Sequence, residues 1–178
     1  MRVFLNNPGT VTCDAFRRLE ERGTVCVAGC LVTADTEHHV RAALPHAKIV
    51  RVDHLFAEGL LGTFSGADPR ILSPELLHDT SWAEPLALEM MDRMDTDRSQ
   101  RFRDRRNLYL YLIAYWAELV RRDAIDLFYS QETPHEVADF ALFAVMKALG
   151  RQTLLFSRTL ILGEWLFADD YRYPRTIY

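Results

Sequence analysis

The chain has 178 residues, 49% hydrophobic and 26% charged, enough to bury a core without disulfide staples and suited to one domain. A net charge of −4, from 25 acidic and 21 basic residues, argues against broad nucleic-acid binding, which needs a basic face. Three cysteines (Cys13, Cys26, Cys30) and a first stretch, MRVFLNN, too short and polar for a secretory segment, point to a reducing, cytoplasmic setting.

In chain order, residues 3–5 predict a first strand, stopped by Asn6-Asn7-Pro8-Gly9. Thr12 can cap a helix over 14–22 that Gly23 ends. Residues 24–32 are β-branched and apolar, a second strand, which Gly29 interrupts and so confines to its first half. Asp35 or Thr36 starts a short helix that Pro45 closes, and 48–52 is a third strand followed at once by Asp53 and His54. The alternation then stops. Residues 55–64 are apolar and glycine-punctuated, and Ser73-Pro74-Glu75 combines an oxygen cap, a proline suited to the first helical position and an acid at the positive helix end. Helical pattern continues over 84–94, an arginine-rich stretch fills 95–106, and a long apolar helix carrying Tyr111, Tyr115 and Glu118 runs to Arg122. Its apolar part is too short to span a bilayer. The block from about 55 to 123 therefore reads as a helical insertion between strands three and four.

Residues 125–129 restore the strand pattern. Thr133-Pro134-His135-Glu136 opens a helix to Leu149, Gly150 supplies the left-handed stop, and 153–156 form a fifth strand, giving a parallel pair joined by a helix. Beyond Phe156 the pattern fades. The sum is an α/β chain with an open parallel sheet of about five strands.

Open parallel sheets bind ligands at the carboxyl ends of their strands, where the following helices also point their positive ends. Those ends carry Asn6 and Asn7, then Thr33 and Asp35, then Asp53 and His54, then Ser130, Gln131, Glu132, Thr133 and His135, and lastly Ser157, Arg158 and Thr159. Thr133, Pro134 and Glu136 have a structural account as a capping box. His135 does not. At the second helical position its imidazole would sit beside a positive helix end, with its pKa pushed down, and would exchange protons as a neutral ring oriented by Asp139. Cys26 and Cys30 read as buried small hydrophobes, and His38-His39 as surface residues, because neighbours on a helix point apart; no metal site is expected. The arginines Arg93, Arg98, Arg101, Arg103, Arg105 and Arg106 read as a solvated face paired with Asp92, Asp95, Asp97 and Asp104, the alternative being a patch for phosphates or anionic lipid headgroups. The P-loop, GxGxxG and GxSxG patterns do not occur.

The run DLFYSQETPHEVADFALFAVMKALGRQTLLFSRTLILG, with Met91-Asp92-Arg93 and residues 109–116 upstream, resembles bacterial capsule and surface-polysaccharide biosynthesis proteins of the GT-B glycosyltransferase type over about half of the chain. The resemblance implies a Rossmann-like, acceptor-side domain at the inner face of the membrane, metal-independent and without a cofactor. It would hold a sugar or sugar-phosphate acceptor, and a nucleotide sugar would sit on a missing or partner domain. His135 carries over as the catalytic, cleft-facing residue. Asn7, His54, Arg93, Ser130, Gln131, Glu132 and Arg158 complete the expected substrate-binding set. The rival reading is a non-catalytic module that binds a nucleotide or sugar phosphate, or docks a partner.

Overall fold

Strands with apolar residues on both faces form the centre of a sheet only if helices cover both sides. In the computed structural model, residues 1–61, 68–158 and 165–172 are described, with side chains for all of these except Ile71, Ser157, Arg158, Trp165 and Leu166. The chain builds β1 (Arg2–Asn6), α1 (Thr10–Glu21), β2 (Cys26–Val32), α2 (Ala34–Ala43), β3 (Lys48–Arg51) and α3 (Val52–Leu61). A short 3-10 turn (Pro69–Ile71), α4 (Pro74–Thr80), α5 (Glu84–Met94) and α6 (Phe102–Arg122) follow. The last elements are β4 (Leu127–Ser130), α7 (Val137–Ala148), β5 (Gln152–Arg158) and β6 (Trp165–Ala168). The sheet order is β3-β2-β1-β4-β5-β6, with β1 to β5 parallel and β6 antiparallel to β5. This is a Rossmann-like α/β fold. Helices α3 to α6 fill the span between β3 and β4, as the expected insertion does, and no described residue there is in a strand.

Two apolar clusters flank the sheet. Val3, Leu5, Val27, Cys30 and Val32 face Cys13 and Phe16 of α1 and Val40 of α2. Phe4, Leu31, Phe128 and Leu155 face the thicker layer of α3 to α7. There α6 lies along α7, and Trp116 donates its Nε1–H to the Ala138 carbonyl at 2.9 Å. Tyr109 donates its hydroxyl to the Thr80 carbonyl at 2.8 Å, which ties α4 to α6. No helix among the described residues is long and apolar enough to cross a membrane.

Several expectations change. The sheet has a sixth strand, β6, at its edge. The β2 strand runs through Gly29 instead of ending before it: the register with β1 shifts there, so Val3 faces Val27 while Phe4 faces Gly29. A Cβ on Gly29 would stand 2.8 Å from the Phe4 ring and 2.9 Å from the Lys48 carbonyl oxygen, so the glycine makes room for a core aromatic. Gly29→Ala is expected to cost about 1–3 kcal/mol by overpacking, read as a lower urea midpoint with an unchanged m-value. Helix α1 starts at Thr10, with Gly9 in the cap position, so Thr12 is a buried helical residue and not the cap. Val52 opens α3 rather than closing β3, which places His54 on a helix. The Ser73 cap is as expected: its side chain accepts from the Leu76 amide, with Pro74 at the first helical position.

Candidate functional site

The chain leaves β1 towards β2 on one side and enters β4 on the other. The carboxyl ends of β1 and β4 stay paired through Asn6 and Ser130, and this pair marks the switch point where such sheets hold ligands. A cleft of about 80 Å³ lies there, lined by Asn6, Asn7, Thr33, Val52, Glu132, His135, Glu136 and Asp139. Every part of it comes from a strand end or a helix start.

Its floor is a closed polar network. Asn6 is buried and donates from Nδ2 to Ser130 Oγ at 3.0 Å and to Asp139 Oδ2 at 3.1 Å. Ser130 donates its own hydroxyl to the Glu132 carbonyl at 2.7 Å. Asp139 Oδ1 accepts the Glu136 amide at 3.0 Å, so this carboxyl caps α7 from its third helical position. Burial pushes the Asp139 carboxyl up to about 7, with the Asn6 hydrogen bond and His135 acting against that rise. A buried acid titrating near neutrality at a strand edge is a candidate functional group with a physical rationale.

The wall is built on the β1–α1 turn. Asn7 has φ +38°, which asparagine tolerates better than most residues, and its Oδ1 accepts the Thr36 hydroxyl at 2.6 Å. His39 of α2 reaches the Pro8 carbonyl at 2.9 Å, so two contacts from α2 hold this turn.

His135 differs from its expected setting. Helix α7 starts at Val137 with Glu136 as its cap, so His135 precedes the helix instead of occupying its second position. The Glu136-x-x-Asp139 pair displaces the Thr133-x-x-Glu136 capping box. The side chain of His135 is 61% exposed, with Nδ1 3.8 Å from Glu132 and in hydrogen-bond contact with the Thr133 carbonyl at 3.0 Å. Burial pulls its pKa down, but the Thr133 bond and the carboxylates of Asp139, Glu132 and Glu136 outweigh this and raise it above the ordinary value. The imidazole is thus held towards its protonated form, the reverse of the helix-dipole expectation.

Of the expected residues, Asn7, Glu132 and His135 line the cleft, and Ser130 lies in its floor. Gln131 turns to the opposite side of the sheet edge, where its Oε1 accepts the Gly9 amide at 3.5 Å. His54 is exposed in the first turn of α3 and Arg93 in the last turn of α5; neither lines the cleft. The Arg158 side chain lies outside the described residues. In the arginine cluster, Arg105 pairs with Asp92 at 2.5 Å and Asp95 at 3.6 Å, and Arg106 pairs with Glu84 at 2.7 Å. Asn6, Thr33, Val52, Glu136 and Asp139 line the cleft outside the expected binding set, although Asn6 and Thr33 stand among the strand-end residues and Asp139 is the expected partner of His135. The signal for Asp139 is a lone acid on a helix otherwise apolar in its middle turns.

Among the described residues, three carboxyl groups and one imidazole line the cleft, and no lysine or arginine does. Such a lining repels phosphate and suits hydroxyl groups, which donate to carboxylates and accept from an imidazolium. A wider cavity of about 640 Å³ lies at the last turn of α3; of its polar lining residues, Asp68 and Arg70 pair with each other, and Asp104 and Asn107 come from the start of α6. Among the described residues no group of three or more His, Cys, Asp or Glu side chains is placed to hold a metal ion. No protein-family model, curated protein or solved structure matches the chain.

Proposed function

We propose that this chain is the acceptor-side domain of a glycosyltransferase-like protein of surface-polysaccharide synthesis, with the cleft between β1 and β4 as its acceptor site. One observation carries the reading: carboxyl, amide and imidazole groups converge at the sheet's switch point, with no lysine or arginine among the described lining residues. That set suits sugar hydroxyls better than a phosphate, which narrows the acceptor to a neutral sugar end. The resemblance of the 126–163 stretch to capsule-synthesis proteins supports the same class. A volume of about 80 Å³ admits a few hydroxyl groups and is far below the several hundred Å³ typical of cofactor-sized ligands. The same volume favours a second reading, sugar binding without transfer, in which no donor is ever engaged.

In the transferase reading His135 acts as an acceptor ligand. Held towards imidazolium, it donates to a sugar oxygen while Glu132 and Asn7 accept hydrogen bonds from sugar hydroxyls. Calorimetric titration with neutral saccharides, sugar phosphates and nucleotide sugars tests this. Neutral saccharides are expected to bind best, and His135→Ala to weaken them about tenfold or more, with the melting temperature unchanged at pH above the raised His135 pKa. Binding should also fall as pH rises through the raised His135 pKa, and the variant should keep only the dependence that Asp139 contributes. Tighter binding of sugar phosphates, or unchanged affinity in the variant, overturns the assignment. Turnover of a nucleotide sugar in the presence of acceptor separates transfer from binding alone.

A further inference from the structure

The two faces of the sheet are covered unequally. On the side of α7, helices lie over β1, β4 and β5; on the other side α1 and α2 pack over β1, β2 and β3. Tyr129 of β4, Phe156 of β5 and Phe167 of β6 face that second side beyond the edge of α1, each half-buried. Their rings form a row continuing from Phe16: centroids are 4.9 Å apart for Phe16–Tyr129, 5.1 Å for Tyr129–Phe156 and 4.4 Å for Phe156–Phe167. With Gln131 and the first turn of α1, these rings enclose a trough of about 500 Å³, and Val11 stands 81% exposed at its rim.

We propose that this trough is a saccharide subsite, which takes the ring face of a second, uncharged sugar unit of the glycan whose end sits in the cleft. The choice of a saccharide rests on the acceptor reading above; the subsite itself rests on three observations. First, the described lining carries no lysine, arginine, aspartate or glutamate, so an uncharged ligand fits it. Second, it offers flat aromatic faces beside a few polar groups: the Thr10 hydroxyl, the Gln131 amide, the first-turn amides of α1, and the Tyr129 and Thr12 hydroxyls, which bond each other. A pyranose has the same division, with apolar C–H faces and a hydroxyl perimeter. Third, trough and cleft share one edge. Gln131 lines the trough and Glu132 the cleft, while Gly9 lines the trough and Asn7 the cleft. A chain of two sugars would pass over Asn7-Pro8-Gly9, the turn that Thr36 and His39 hold in place.

Backbone-amide NMR titration of the whole chain with glucose, maltose and maltotriose tests this, with uridine as a comparison. Disaccharide and trisaccharide are expected to shift Gly9, Gln131 and Phe167 together with the cleft, and to bind about tenfold tighter than the monosaccharide. Phe156→Leu keeps an apolar side chain and removes the flat ring, while Val11→Trp fills the mouth from an exposed position. Each is expected to bring the disaccharide down to monosaccharide affinity and to leave the monosaccharide unchanged. His135→Ala should weaken both. Cleft shifts with a silent trough overturn the subsite and leave the acceptor reading standing. Trough shifts with a silent cleft support the subsite and overturn that reading. Uridine shifting the trough where maltose does not, or a concentration-dependent dimer that Val11→Trp abolishes, assigns the trough to another occupant and overturns the proposal.

Discussion

Trp116→Ala is expected to lower stability by about 3–5 kcal/mol, a large part of the 5–15 kcal/mol typical of a domain this size. The indole is fully buried between the sheet and α7. It meets Phe4 edge-on at 5.6 Å and Tyr115 at 5.1 Å, and bonds the Ala138 carbonyl. Truncation removes the transfer energy of the indole and leaves a cavity that flanking helices fill only in part. The Ala138 carbonyl lies inside a helix that already uses it, so most of the cost comes from lost packing rather than from an orphaned acceptor. Trp116→Phe, which keeps a ring against Phe4, should cost only about 1–2 kcal/mol. Urea unfolding checks both. A loss below about 1 kcal/mol for the alanine variant would show that the α6–α7 contact is not where the core concentrates its packing. Ala138 directly precedes Asp139, so a shift of this turn also displaces the acid under the cleft, and saccharide binding should weaken although Trp116 touches no ligand.

The parts of the fold written in local pattern are legible in the sequence. The apolar runs of β1, β3 and β4, the Ser73 cap and the extent of α5 follow from periodicity and turn chemistry. The misses depend on contacts far along the chain. Trp165–Ala168 is too short to show alternation, and it is a strand only because β5 pairs with it. Gly29 reads as an interruption until Phe4, distant in sequence, is seen to need its empty face. At α7 two capping patterns overlap by one residue, and local sequence cannot rank them. The fold does, because Asp139 meets Asn6 across the sheet edge. The site divides in the same way. Asn6, Asn7, Glu132 and His135 follow from the rule that strand ends hold ligands, while the bond between Asn6 and Asp139 comes from their burial, which no local pattern encodes. His54 and Arg93 lie outside the cleft because the chain turns helical at Val52, directly after β3, and α5 belongs to the covering layer.

Asp139→Asn should change the pH dependence of stability more than any other single substitution. In the unfolded chain the carboxyl ionises near its ordinary value of 3.8; in the folded chain burial pushes it up to about 7. Between those values the folded chain keeps a proton that the unfolded chain has released. The stabilisation is therefore fully present below about pH 4 and is lost as pH rises through about 7. The amide variant cannot ionise. Its stability relative to the native chain should climb across that window by on the order of a few kcal/mol, then level off. A constant offset of about 1 kcal/mol against the variant is expected as well. The Glu136 amide keeps its acceptor, but Asn6 must turn its oxygen to the new amide and gives up its bond to Ser130. His135 also titrates here, and its raised pKa gives a contribution that is likewise lost as pH rises. Repeating the comparison in a His135→Ala background isolates the carboxyl. Urea unfolding from pH 4 to 8 gives the curve. A difference that stays flat over that range would mean that Asp139 ionises like an exposed acid, and the buried network under the cleft would then carry no special proton.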